Sequence, residues 1–218
     1  MSRLCSSRYE LAARKLGWTR IAGLDEVGRG SLFGPVVAAA VILNPKRRIV
    51  GLDDSKKLQA ERREELAARI QEHAVAWAVA EIDASRIDAW NIYQASLQAM
   101  TSALQQLSVQ PDYLLLDAVK LDVLIEQKSI IKGDAKSVSI AAASILAKTH
   151  RDARMVEWDV VYPGYGLAQH KGYSTPEHLD ALRRLGPCPL HRYSFAPVRE
   201  ATSWSTGATQ VSLPIFSD

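Results

Sequence analysis

Cysteine is scarce in this chain: Cys5 and Cys188 are the only two among 218 residues, and they form no Cys-x-x-Cys pair. That excludes a disulfide framework and a cysteine-built zinc site, and it fits free thiols in a reducing compartment. Long apolar runs are missing as well. The longest, residues 35–43, is far too short to cross a bilayer, and the first residues hold no apolar signal stretch. A cytoplasmic protein without a membrane partner is expected. A large excess of one charge is also absent, the net charge being only +3, so global charge does not prove a nucleic-acid partner. No internal repeat is present, which excludes a solenoid or propeller. The stretch 201–210 is poor in apolar residues and rich in Ser and Thr, and it reads as a flexible tail. What remains is an ordinary globular composition, 47% hydrophobic and 23% charged, sufficient for one large domain.

The most informative segment is Asp25-Glu26-Val27-Gly28-Arg29-Gly30, which closes the apolar run Ile21-Ala22-Gly23-Leu24. Carboxylates at a strand end are hard oxygen ligands suited to Mg²⁺ or Mn²⁺. The glycines allow a sharp turn and close backbone approach to a ligand. Arg29 offers a planar cation that matches phosphate. Metal, close approach and phosphate recognition together suggest phosphodiester chemistry. Basic clusters recur at Lys46-Arg47-Arg48, Lys56-Lys57, Arg62-Arg63, Lys128, Lys132, Lys136, Lys148, Arg151 and Arg154. Several are solvated helix charges, but a basic surface around an acidic pocket is what a metal-dependent nuclease needs.

Apolar patterning predicts strands over 20–26 and 35–43, with a short third strand over 49–52. A helix is expected over 60–72, a strand over 74–82 and a helix over 88–107. Further strands are expected over 113–117 and 129–132, and a long Ala-rich helix over 137–158. Thr175-Pro176 reads as the start of a helix that stops at Gly186. Strands alternating with helices argue for an α/β domain with a mixed sheet.

Asp117 closes its strand as Asp25 and Glu26 close theirs, and ligands of open α/β sheets bind at such strand ends. Asp152 lies four residues after Lys148 on one helix face. It can form an ordinary ion pair there, or be aimed into the same pocket. Four carboxylates in one pocket would suit two metal ions roughly 4 Å apart. A regular strand points Asp25 and Glu26 to opposite faces, so a twist or bulge is expected where they meet one site.

These pieces, in this order and spacing, resemble one family: ribonuclease HII, the type 2 ribonuclease H of bacteria. The resemblance runs over roughly residues 18–199. It rests on Gly23 to Gly30, Gly34 to Ala40, Leu52 to Leu58, Asp117-Ala118, Lys132-Gly133-Asp134, Ala141 to Lys148 with Arg151-Asp152, His170 to Thr175, and His191 to Phe195. It implies a ribonuclease H-like α/β fold, a five-stranded mixed sheet flanked by helices with extra C-terminal helices. Residues 1–17 would be an N-terminal extension, 18–200 the catalytic domain and 201–218 the tail.

Carried over, Asp25, Glu26, Asp117 and Asp152 are the catalytic and metal-binding carboxylates, with Mn²⁺ or Mg²⁺ as cofactor. The implied activity is hydrolysis of the RNA strand of RNA–DNA hybrids, and nicking of duplex DNA 5′ to a lone ribonucleotide. Implied substrate contacts are Gly28, Arg29, Gly30, Lys56, Lys57, Ser137, Lys148 and Tyr173. Taken alone, Tyr173 is an aromatic over a glycine turn, Lys56 and Lys57 are loop charges, and Ser137 is a helix cap. His191 reads as a plain surface histidine in preference to a late-chain site residue.

The nearest rival, ribonuclease HIII, usually carries an extra N-terminal domain and a lysine where Arg29 stands. About 20 residues precede the first strand here, and Arg29 favours type 2. An inactive hybrid-binding module and a small-molecule phosphoryl enzyme are weaker rivals. In the tail, Gln210, Leu213 and Phe216 resemble the short sliding-clamp-binding peptides of bacterial replication proteins. The segment either docks on a clamp or folds back on the domain. No long heptad is visible, so a monomer is expected.

Overall fold

The computed structural model describes residues 5–206, with side chains described through residue 202. In chain order the elements are α1 (Arg8–Lys15), β1 (Ile21–Val27), β2 (Val36–Ile42), α2 (Ala60–His73), β3 (Ala76–Ile82), α3 (Ala84–Trp90), α4 (Ile92–Gln105), β4 (Tyr113–Asp117), β5 (Glu126–Ile130), α5 (Val138–Val161), α6 (Leu167–His170), α7 (Pro176–Leu185) and α8 (Ala196–Thr206).

Strand β2 is Val, Ala or Ile throughout and buried at every position. A strand with no polar face belongs inside a sheet covered on both sides. It lies between β1 and β3, antiparallel to each. Strands β4 and β5 continue in parallel beyond β1, giving a five-stranded mixed sheet of order β3-β2-β1-β4-β5. The fold implied by the sequence is therefore present.

Helix α4 covers one face, packing Ala95, Ala99, Met100 and Ala103 with Leu24, Ala38, Ala40 and Leu114. Helices α2 and α5 cover the other, against Val37, Ala39 and Val41. The small side chains of α5 bring its backbone onto the sheet. A Cβ on Gly23 would stand only 2.1 Å from the Ser139 carbonyl carbon of α5. Beyond the sheet, Phe33, Met155, Leu167, Leu182 and Val198 form a separate cluster that carries α6, α7 and α8.

Several local expectations are corrected. Residues 49–52 form no strand; Ile49 and Leu52 instead plug the cluster under α2 and α5. The helix expected over 88–107 is two helices, broken at Asn91 with φ 73°. The Asn91 side chain accepts from the N–H groups of Tyr93 and Gln94, so it starts α4 rather than continuing α3. The strand expected over 129–132 is β5, which ends at Ile130.

Helix α1 was not expected. It is packed into the domain: buried Glu10 accepts from the Ser137 hydroxyl at 2.5 Å and the Ser139 N–H at 2.9 Å. At the other end α8 runs past residue 200 and buries Ala201, so the expected tail begins inside a helix. Gln210, Leu213 and Phe216 lie outside the described residues. Among the described residues no helix is long and apolar enough to cross a membrane.

The contact at Gly23 leaves no room for a methyl group, because what it meets is helix backbone. Gly23→Ala is expected to destabilise the fold by about 3 kcal/mol or more, read as a lowered urea midpoint.

Candidate active site

Strands β1 and β4 run parallel with Leu24 beside Leu116. The next residues, Asp25 and Asp117, therefore stand side by side where the two strands end their pairing. Ser144 of α5 lies near enough to Asp25 to favour its charged form, and Asp117 Oδ1 accepts from the Gly133 N–H at 2.7 Å. Strand β1 keeps an unbroken register with β2 through Val27. There is thus no bulge of the kind expected at Asp25-Glu26. Glu26 turns instead toward Arg29, whose Nη1 donates to Oε1 at 3.3 Å.

The three acids still share one electrostatic environment. Burial, then the charges of Glu26 and Asp117, push Asp25 well above the usual carboxylate range. Burial raises Glu26, although Arg29 works against it. Burial likewise raises Asp117, opposed by the Gly133 N–H. Glu26 Oε2 is buried without a hydrogen-bond partner. An oxygen-only donor set with mutual repulsion and an orphaned oxygen fits a hard divalent cation. Among the described residues, no three His, Cys, Asp or Glu side chains close on one point. The carboxylates are therefore not gathered into a finished coordination sphere.

Asp152 is held by two cations. Lys148 Nζ donates to it at 2.6 Å and Arg63 Nη2 at 3.2 Å. Burial lowers the Lys148 ammonium from its ordinary value, against the pull of Asp152. Arg63 also donates to the carbonyls of Ser55 and Leu58 at 3.2 and 2.6 Å. It therefore ties the Lys56-Lys57 loop to α5. That loop has a second tie, Ser55 Oγ to Ser144 Oγ at 2.9 Å. The Lys56 and Lys57 side chains are exposed, with their ammonium groups 3.6 Å from Asp134 and 3.7 Å from Asp53. Burial acts to lower Lys56, but Asp134, Asp54 and Asp25 outweigh it and hold it above its ordinary value.

The Gly28-Arg29-Gly30 turn sits on buried arginines. A Cβ on Gly28 would stand 2.3 Å from Arg151 Nε, and its φ is +91°, so only glycine fits. Arg151 is not part of the basic surface as expected. It is fully buried and donates to Ser31 Oγ at 2.6 Å, Lys171 O at 2.9 Å and Phe33 O at 3.2 Å. Arg192, also buried, donates to Gly34 O at 2.9 Å and Arg29 O at 3.0 Å. The Tyr173 loop is stitched alongside, Ser31 bridging Tyr173 and the Leu32 N–H donating to Gly172 O at 2.8 Å. Lys148 Nζ lies 5.8 Å from the Tyr173 ring centre and Arg151 Cζ 5.3 Å. Ala118, Lys132 and Lys171, each next to a site residue or one of its partners, hold left-handed backbone, the strain that gathers at functional sites.

Two expectations fail on burial. His191 is fully buried rather than at the surface. Ser137 is fully buried too. Its hydroxyl donates to Glu10 and accepts from the Ile140 N–H. It caps α5 and is not presented to a phosphate. In the sequence, Ser144, Arg63 and the buried Asp134 were named only within motifs or a basic cluster and given no individual role; Asp134 lies 3.6 Å from Lys56 Nζ and adds repulsion to Asp25. A serine among the alanines of a buried helix was the available signal for Ser144; for Arg63 it was only its place in the Arg62-Arg63 cluster.

Comparison with known proteins gives the family and the fold. The ribonuclease HII family profile matches residues 22–198. Ribonuclease HII of Koribacter versatilis is 58% identical over 206 residues, covering 94% of this chain and 79% of that protein. The structure of ribonuclease H2 from Pyrococcus horikoshii aligns with a TM-score of 0.74 and 25% identity, over 85% of this chain and 98% of that one. Ribonuclease HII from Archaeoglobus fulgidus, solved as a complex with PCNA, aligns at 0.66 and 26% identity, over 79% and 91%.

Because Asp25 is raised, its ionised form weakens the fold at pH values above its folded pKa, and the penalty is relieved as falling pH protonates it. Asp25→Asn should therefore melt higher than the parent in chelator at pH 8. The difference should shrink toward acid. Differential scanning fluorimetry across pH reads both.

Proposed function

The chain belongs to the ribonuclease HII family, and from that premise we propose that it hydrolyses the RNA strand of RNA–DNA hybrids and nicks duplex DNA 5′ to an embedded ribonucleotide. The products are 3′-hydroxyl and 5′-phosphate ends. The cellular roles that go with this reading are ribonucleotide removal and primer removal, by a cytoplasmic monomer. The observation that carries it is the meeting of Asp25, Glu26 and Asp117 at the adjacent ends of β1 and β4, beside the joined Gly-Arg-Gly and Tyr173 loops.

Asp25, Glu26, Asp117 and Asp152 are the residues that would hold Mg²⁺ or Mn²⁺. Two such ions, when bound, supply an activated water and stabilise the leaving oxygen. The protein's own part is placement. Ser144 and the Gly133 N–H orient Asp25 and Asp117, Arg29 restrains Glu26, and Lys148 with Arg63 holds Asp152. Lys56 and Lys57, exposed and paired with Asp134 and Asp53, would exchange those carboxylates for phosphates. Gly28, Arg29 and Gly30 bring backbone close to a 2′-hydroxyl, the group that separates RNA from DNA. The Tyr173 ring, fixed beside them, stacks on the next sugar, where a second 2′-hydroxyl obstructs it. That selects an RNA-to-DNA junction.

The tail residues Gln210, Leu213 and Phe216 tether the enzyme to a sliding clamp. The Archaeoglobus fulgidus relative, solved with PCNA, supports this reading.

Duplex DNA with one ribonucleotide, incubated with Mg²⁺ or Mn²⁺, should be nicked 5′ to it, while an all-DNA duplex stays whole. Asp117→Asn should lower the rate by about a thousandfold, since each such ligand carries several kcal/mol of charge stabilisation. Tyr173→Ala should lower single-ribonucleotide nicking about tenfold, corresponding to about 1.4 kcal/mol, and leave metal binding intact by calorimetry. Unchanged nicking would remove Tyr173 from the site. A chain truncated before Gln210 should lose clamp binding in gel filtration; equal binding would acquit the tail.

A further inference from the structure

Three histidines lie directly behind the Tyr173 turn, and their partners fix where every ring proton sits. His191 Nδ1 receives the Cys188 N–H at 3.0 Å, so that nitrogen is bare. In a neutral ring the proton is then on Nε2. His191 Nε2 faces His178 Nε2 at 3.1 Å and donates to it, so His178 Nε2 is bare. The His178 proton is therefore on Nδ1, which donates to the Tyr173 carbonyl at 2.9 Å. His170 flanks the pair, stacked on His178 with ring centres 4.4 Å apart. Its Nδ1 accepts from the Gly172 N–H at 3.2 Å and its Nε2 donates to Tyr165 O at 2.7 Å.

From this geometry we infer that His191 and His178 form a fixed-tautomer relay, Cys188 N–H to His191 to His178 to Tyr173 C=O, that positions Tyr173 for substrate selection. Both rings are fully buried. Burial brings His178 down to about 4 and His191 down to about 3, so the neutral forms persist at working pH. A charged His191 would set an N–H against the Cys188 N–H, and the chain of donors would lose its direction. The rings packed against His191 are apolar on their faces: those of Phe33 and Tyr165 lie 5.0 Å from it. The Tyr173 turn needs such a hold, because Lys171 and Gly172 before it are both left-handed, at φ 53° and 76°. His178 and His191 are positioning residues; they act through the Tyr173 backbone. The inference rests on the reading of Tyr173 as the junction-selecting side chain.

Two amides separate this role from a merely structural one. His178→Asn keeps an N–H near the δ position, toward Tyr173; His178→Gln keeps a polar group only near the ε position. The readout is the ratio of kcat/KM on a single-ribonucleotide duplex to that on a long hybrid. His178→Gln should lower it about tenfold, and His178→Asn should restore most of it. Equal ratios for Asn and Gln would overturn the relay. Ring-¹⁵N NMR of the full-length parent, independent of any variant's folding, should show His178 protonated on Nδ1 and His191 on Nε2, unchanged from pH 8 to 6. An Nε2-protonated His178, or a charged ring, would also overturn it. Tyr173→Ala is the reference. If it lowers the ratio and His178→Gln does not, the relay alone fails. If it leaves the ratio unchanged, the reading of Tyr173 fails and the relay's role with it.

Discussion

The rest of the molecule depends on how closely α5 lies on β1. At Gly23 the strand has no side chain on that face, and the helix backbone occupies the space. This fixes the helix against the sheet in depth and in rotation. Ser144 then falls near Asp25, with Lys148 one turn later and Arg151 and Asp152 two turns later along the same helix. The alanines between them keep the approach close along the helix. A bulkier helix would sit farther out, and the serine that orients Asp25 would no longer reach it.

Charge is handled in two ways around that contact. On the acidic side, like charges are held together at a cost in stability, which a divalent cation would offset. On the basic side, Arg151 and Arg192 are buried with backbone carbonyls and a serine hydroxyl as their hydrogen-bond partners. Arg192 is brought down to about 9, chiefly by burial and then by Arg151. The two guanidinium groups serve as struts that fix the Gly28–Gly30 turn and the Tyr173 loop.

The parts of the fold carried by repeating patterns were legible in the sequence. The all-apolar run of β2, the carboxylate closing β4 and the Thr175-Pro176 start of α7 each follow from local rules. The strand-end rule put Asp117 with Asp25 and Glu26, and family resemblance added Asp152. What stayed hidden depended on partners distant in sequence. A polar residue such as His191 or Arg151 looks solvated in a linear reading, and only the folded chain supplies the carbonyls and N–H groups that let it be buried. The break at Asn91 was local but opposed the continuing apolar period. Helix α1 was missed because its main anchor, Glu10, reads as an ordinary surface charge.

That anchor has a consequence for the order of events during synthesis. Glu10 bonds Ser137 across 127 residues of chain, and β1 takes its parallel neighbour from residue 113 onward. The first helix and the first strand therefore leave the ribosome long before either can be completed. The central strand must wait exposed, and the domain closes only once the long helix has been made. Contacts this remote in sequence make folding slow and late. The acidic cluster is thus assembled only at the end, when nearly the whole catalytic domain has emerged.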